Sequence, residues 1–405
     1  MKPIVRAGRM KPVHSDIRGP LFVKAMKRQK QGIDILKLNT GNPATFGFGL
    51  PDSIKNALME HMQDGVGYCD FKGMPQARQA ICDYETSKGI KGITPDDVFI
   101  GNGVSEVVSF ALTPLLNDGD EVLVPSPSYS LWGNSVYLED GKPVFYTCDE
   151  QANWYPDIQD IRSKITDKTK AIVIINPNNP TGVLYPKELL LEIIQIAREF
   201  GLLIFADEIY DRLVMDGKQH ISLASLTEDV PVITLNGLSK SHCLCGYRCG
   251  WMVISGPREL TEDYRQGIIQ LTSLRLCANT MAQIVIPAAL DDMDTPASMV
   301  RPGGRIYEQR EATVRELEKI DGLSFVKNDA AFYVFPKLDV KKFNITNDKQ
   351  FAHDLLDATN ILLVPGSGFD WKDPDHFRIV MLPQADILSD AIRRMGTFLD
   401  GYKQK

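Results

Sequence analysis

The stretch NGLSKSHCLCGYRCGW, residues 236–251, sets one lysine, Lys240, at the end of an apolar run, with Arg248 and then Gly250-Trp251 close behind. The lead-in PVITLN, residues 231–236, has the β-branched, apolar character of a buried strand, so Lys240 arrives in the interior. An ammonium there is costly unless chemistry uses it. Which chemistry that is depends on what the neighbouring strands bring to the same place.

Working outward, VFIGNG, EVLVPSPSY, AIVIINP, LLIFADE, VITLNGLSK and GWMVIS read as buried strands between about residue 98 and 255. SEVVSFALTPLL and PKELLLEIIQIAREF, lying between some of them, have apolar residues at helical spacing, the latter with Pro at its start. Strand–helix alternation means an α/β fold with a parallel sheet between helices, and ligands bind at the carboxyl ends of such strands. Those ends carry GNGVSE, PSPSY, NPNNPTG, ADEIY and NGLSK. From about residue 301 a long charged helix, GGRIYEQREATVRELEKI, leads into short strands (SFVKN, AAFYVFPK, FRIVML) alternating with helices, the pattern of a second, α+β domain.

With 405 residues and 43% hydrophobic content the chain exceeds one ordinary core. Its 45 basic and 52 acidic residues give a net charge of −7 with no basic run, which argues against a nucleic-acid partner. No apolar run approaches the roughly 18 residues of a membrane span. The opening MKPIVRAGRMKPVHSDIRGP lacks the apolar centre of a secretory signal, so a cytoplasmic protein is expected. The seven cysteines are odd in number and scattered, as reduced thiols are. Cys243, Cys245 and Cys249 crowd beside His242, but the paired C-x-x-C spacing of structural zinc is missing, and no metal is expected.

Neither a G-x-G-x-x-G nucleotide turn, nor a G-x-x-x-x-G-K-[ST] phosphate loop, nor H-E-x-x-H, nor a G-x-S-x-G nucleophile elbow occurs in the sequence. What remains is a glycine turn opening a helix, an Asp at a strand end with a Tyr three residues on, an aromatic in PSY, and the strand-end Lys. An amine for a Schiff base, a carboxylate for a pyridinium nitrogen and an anion cradle are what pyridoxal phosphate requires.

Taken as a set, these motifs, from LNTGNP to HFRIVMLP, resemble the fold-type I, class I pyridoxal-phosphate aminotransferases along nearly the whole chain. DIRGP, RLCAN and PDHFRIV are most similar to the bacterial glutamate–pyruvate (alanine) aminotransferases. The resemblance implies a large domain with a mostly parallel seven-stranded sheet between helices, and a smaller α+β domain. Residues 1–50 then form an N-terminal arm and part of the small domain, 51–300 the large cofactor-binding domain, and 301–405 the C-terminal small domain.

The resemblance also assigns roles. Lys240 holds the cofactor covalently and carries the proton. Asp207 pairs with the ring nitrogen, where its alternative is a helix cap. Tyr210 and Asn179 hold the ring hydroxyl oxygen, although Asn179 also reads as a plain turn residue. Tyr129 stacks on the ring, and the Ser126–Pro127 and Asn179–Pro180 bonds are cis. Gly103, Val104 and Ser105 cradle the phosphate, closed by Ser239 and Arg248. Tyr68 reaches the phosphate of a neighbouring subunit, which implies a homodimer with shared sites. Arg378 forks the substrate α-carboxylate and Gly41 approaches it through its backbone.

Three positions depart from the family: Gly237 stands where many relatives have Ser, Ala330 where Gly is usual, and Ser15 where the alanine enzymes have Tyr. The expected reaction is a ping-pong transamination between L-alanine/pyruvate and L-glutamate/2-oxoglutarate. The alternatives are a pyridoxal-phosphate C–S lyase, an aminotransferase for aromatic or branched amino acids, and, less in keeping with so short a leader, a non-catalytic regulator. A second carboxylate needs its own cation, for which Arg18 in DIRGP and Arg275 in SLRLCAN are the candidates, Arg18 being favoured because a mobile arm can release it to water.

Overall fold

The computed structural model describes residues 2–405. Its centre is an eight-stranded sheet in the order Val98–Asn102, Cys249–Ser255, Val232–Gly237, Leu203–Asp207, Thr169–Ile175, Glu121–Ser126, Lys142–Asp149 and Tyr155–Pro156. The five strands from Val232–Gly237 across to Lys142–Asp149 run parallel. Cys249–Ser255 is antiparallel to both its neighbours, because only the short segment after Gly237 separates it from the preceding strand. The expected seven strands gain a two-residue eighth, Tyr155–Pro156, antiparallel on the edge. The strand Lys142–Asp149 escaped the sequence reading because its half-exposed KPVFYTCD lacks a continuous apolar run.

The central strands are buried at every residue, as a sheet covered on both faces demands. Their side chains alternate between two cores. Leu123, Ile172, Ile204 and Val232 pack with Leu190, Ile193 and Ala197 of the helix Lys187–Phe200. Val122, Val173, Phe205 and Ile233 pack with Val108 and Leu112 of the helix Val104–Leu112, and with Ile268. The two-residue period of each strand therefore decides which helices it faces.

A separate core joins both ends of the chain. Leu21 and Ala25 of the helix Pro20–Lys30, with Ile35 and Leu38, pack against Phe351, Leu355, Ile379 and Ile392. Leu36–Lys37 pairs in parallel with Ile361–Leu362. The charged helix spans Arg305–Leu317, and the strands after it are shorter than their sequence runs: SFVKN contributes only Ser324 to a two-residue strand. No single helix among the described residues is long and apolar enough to cross a membrane.

Candidate active site

A cavity of about 890 Å³ opens at the carboxyl ends of the parallel strands, lined among others by Lys240, Asp207, Tyr210, Asn179 and Arg378. Lys240 lies just past its strand, in the helical turn Leu238–Ser241. That turn aims the ammonium into the cavity, where it donates to the Gly41 carbonyl at 3.0 Å. The Cys245 thiol is 3.9 Å away. Gly41 has to be glycine: a Cβ there would lie 2.2 Å from the Tyr333 hydroxyl.

Asp207 ends the strand Leu203–Asp207 and is buried. The Trp132 indole donates to its Oδ2 at 3.0 Å, and the Ile209 amide reaches Oδ1 at 3.4 Å. These bonds do not offset desolvation, and burial pushes the carboxyl up to about 6. A cationic group facing it would restore the carboxylate.

Arg378, in the strand Phe377–Val380, is fully buried and pairs with no carboxylate among the described residues. It donates to Asn179 Oδ1 at 2.9 Å and to the Asn39 carbonyl, while its Nε has no hydrogen-bond partner among the described residues. The guanidinium sits between the Tyr333 and Phe369 rings, 4.5 and 4.7 Å from their centroids. Burial lowers its pKa from the ordinary arginine value. A buried cation held by neutral acceptors in a cavity wall is a receptor for a planar anion.

At the other end Gly103, with φ +84°, precedes the helix Val104–Leu112. A Cβ on it would lie 2.4 Å from Nη2 of Arg248, so glycine allows the guanidinium to close against the helix N-terminus. Val104, Ser105, Ser239 and Arg248 line this end of the cavity. First-turn amides, two hydroxyls and a guanidinium make an anion cradle suited to a phosphate. Tyr129 lines the same cavity and is partly exposed to it.

Two predicted residues lie elsewhere. Tyr68 is 85% exposed and does not line the cavity of its own chain. Arg275 is held by Glu106 at 2.5 Å and by the carbonyls of Phe71 and Ile100, so its charge is already matched within the chain. Arg18 does line the cavity.

The family model for aminotransferase class I and II matches residues 33–392. The chain belongs to the class I and II aminotransferases. It is 50% identical over 404 residues to the glutamate-pyruvate aminotransferase AlaA of Haemophilus influenzae, covering 100% of each. A crystal structure of an aminotransferase from Escherichia coli matches with a TM-score of 0.98 at 47% identity, over 100% of both chains. The alanine aminotransferase from Pyrococcus furiosus matches with a TM-score of 0.93 at 41% identity, over 98% of this chain and 100% of that one.

In this aminotransferase the departures at Gly237 and Ala330 have local causes. A Cβ on Gly237 would meet the Cys249 carbonyl oxygen at 2.5 Å, so a serine does not fit without a backbone shift. Ala330 forms an antiparallel bridge with Val214 and is not among the residues with positive φ, so it needs no glycine freedom. The Asn179–Pro180 and Ser126–Pro127 bonds are cis, and so is Asn176–Pro177.

The sequence reading missed Trp132 and Tyr333, whose hydroxyl is 2.9 Å from that of Tyr210. Both are apolar-looking residues inside core patterns, and only the fold points their polar atoms at the site. It also missed a buried network behind it. Lys88 reaches Glu85 at 2.8 Å, Glu208 at 2.7 Å and Asp211 at 3.2 Å. Glu208, Asp211 and His220 are spaced as metal ligands can be, but the Lys88 ammonium already occupies that role for two of them.

Proposed function

We propose that this aminotransferase moves the amino group between L-alanine/pyruvate and L-glutamate/2-oxoglutarate, in a ping-pong cycle on pyridoxal 5′-phosphate bonded to Lys240. The observation that carries the reading is Arg378: a buried guanidinium without a carboxylate, in the same cavity as Lys240 and Asp207. When bound, the cofactor supplies a carbonyl for the amino group and a ring that withdraws electrons.

The chain's own residues do the rest. Arg378 receives the α-carboxylate of every substrate and so orients its Cα–H towards Lys240. With the cofactor bound, the Lys240 amine would be the base that takes this proton and the acid that gives it back. Asp207 holds a proton on the ring nitrogen by a charge-assisted bond, and Trp132 fixes the carboxylate for it. Burial keeps the Tyr210 phenol well above its ordinary pKa, so it stays a donor for the ring oxygen. Asn179 accepts from Arg378 through Oδ1, which leaves its –NH2 to donate to the same oxygen. Gly103, Val104 and Ser105, with Ser239 and Arg248, would hold the phosphate, and Tyr129 would pack against the ring.

Tyr68 exposes its ring outside its own cavity and, in a homodimer with shared sites, serves the neighbour's phosphate. Residues 1–50, 51–300 and 301–405 are read as arm with part of the small domain, large domain and small domain, which the shared core of residues 21–38 with 351–392 supports. Arg18 reads the distal carboxylate of glutamate, since Arg275 is bound to Glu106. The test is a panel of amino donors against pyruvate and 2-oxoglutarate, with absorbance of the purified protein recorded alongside. Alanine and glutamate are expected to lead. Pyruvate released from cystathionine with no 2-oxo acid added would instead make it a C–S lyase.

A further inference from the structure

Among the points that hold the arm carrying Arg18, the one at His14 uses groups that no part of the transamination needs. The His14 backbone amide donates to Asn134 Oδ1 at 3.1 Å, and Asn134 Nδ2 donates back to the His14 carbonyl at 2.6 Å. The His14 ring donates from Nε2 to Asp370 Oδ1 at 3.0 Å. Asn134 belongs to the helix Leu131–Leu138, which follows Tyr129, and Asp370 caps the turn Gly366–Phe369 of the C-terminal part. The Asp370 carbonyl accepts from Ser126, so one residue ties the arm and the Tyr129 segment together. Its Oδ2 is buried with no hydrogen-bond partner among the described residues, and His14 is the cation that meets this carboxylate, through Oδ1.

Two weaker holds lie closer to Arg18. Between His14 and the start of the helix at Pro20 lie Asp16, bonded to Lys349 at 3.3 Å, and Ile17, whose carbonyl takes the Asn39 amide at 2.9 Å. Ser15 and Arg18 line the cavity between those points.

We propose that His14, gripped by Asn134 and Asp370, is a specificity-determining positioning residue that pins the arm so that Arg18 faces the cavity, favouring dicarboxylic over monocarboxylic substrates. The inference rests on Arg18 being the reader of the distal carboxylate. A free arm leaves Arg18 in water for much of the time, and only the pinned fraction binds glutamate or 2-oxoglutarate, so affinity falls by that fraction. Alanine and pyruvate have no group for Arg18 and do not depend on the clamp.

The groups facing the His14 ring are Asp370, Asp16 at 3.8 Å, Lys349 on the far side of Asp16, and Tyr137 near Asp370. The hydrogen bond to Asp370 raises the His14 pKa, against partial burial and Lys349 and with the help of both carboxylates. A raised folded pKa means that the charged clamp is complete at lower pH and weakens as pH rises through that value.

The experiment measures kcat and KM for both substrate pairs, from about pH 6 to 9, in the wild type, His14→Ala, His14→Gln, Arg18→Ala and the double variant. His14→Ala should raise KM for glutamate and 2-oxoglutarate about tenfold, leaving kcat and the alanine and pyruvate values within about threefold. His14→Gln keeps a neutral donor, so it should restore most of the affinity and abolish the alkaline loss of dicarboxylate preference expected of the wild type. The double variant should be no worse for glutamate than Arg18→Ala alone, because His14 acts through Arg18. An Arg18→Ala enzyme that keeps its glutamate preference refutes the Arg18 reading, and this inference with it. A selective loss in Arg18→Ala, with His14→Ala either silent or damaging both pairs alike, refutes the clamp alone.

Discussion

Asp207→Asn should make the protein stripped of cofactor more stable and the loaded enzyme nearly inactive, for one reason. Asp207 is buried, receives one good hydrogen bond from Trp132, and has its carboxyl raised to about 6 by burial. Its ordinary value is 3.8. A raised acid binds its proton more tightly folded than unfolded, so its contribution to stability is lost as pH rises from the unfolded to the folded value. The difference of about 2.2 pKa units corresponds to roughly 3 kcal/mol of destabilisation well above pH 6. Asparagine has the same shape, still accepts from Trp132 and carries no charge. Its advantage in the stripped protein should therefore widen by about 1.4 kcal/mol between pH 5 and pH 8. Urea denaturation of both stripped proteins at the two pH values measures this. In the loaded enzyme the same change removes the anion opposite a ring nitrogen, and kcat should fall by several powers of ten, on the order of 3–5 kcal/mol. A stability gap that is constant with pH refutes the burial argument, and near-normal turnover refutes the pairing of Asp207 with the ring.

Lys240→Ala should abolish turnover while the protein still binds pyridoxal phosphate reversibly, and borohydride reduction of the wild type should attach the label at residue 240 and at no other lysine. Arg378→Lys replaces a fork by a point charge and should raise KM for glutamate and alanine alike, by roughly 2–5 kcal/mol in kcat/KM, with the cofactor spectrum unchanged. A loss confined to one substrate pair speaks against Arg378 as the α-carboxylate site. Arg18→Ala should lower kcat/KM for glutamate and 2-oxoglutarate roughly tens-fold more than for alanine and pyruvate. Equal losses for both pairs remove Arg18 as the selector.

The parts of the molecule that were legible in its sequence are those where one residue type has one physical use. Strands buried on both faces are continuous apolar runs, and their ends are marked by Asp207, Asn179 and Gly103 because nothing in a core explains an acid, a proline-flanked amide or a glycine turn there. Lys240 and Arg378 stood out for the same reason, as charges inside apolar runs. Trp132 and Tyr333 could not be found this way: each is an apolar body with one polar atom, and sequence spacing says nothing about where that atom points. The strand Lys142–Asp149 was hidden by its half-exposed face. The choice between Arg18 and Arg275 was open in the sequence because both are lone arginines in short motifs. What weighs against Arg275 is Glu106, more than a hundred residues from it in the chain and 2.5 Å from it in space. The hold on the arm is a sharper case. His14, Asn134 and Asp370 lie in three stretches far apart in the chain, and nothing in the sequence of one points to the other two. A residue that acts on specificity through another leaves no signature in its own neighbourhood, so substrate preference is the property of such a chain that its motifs reveal least.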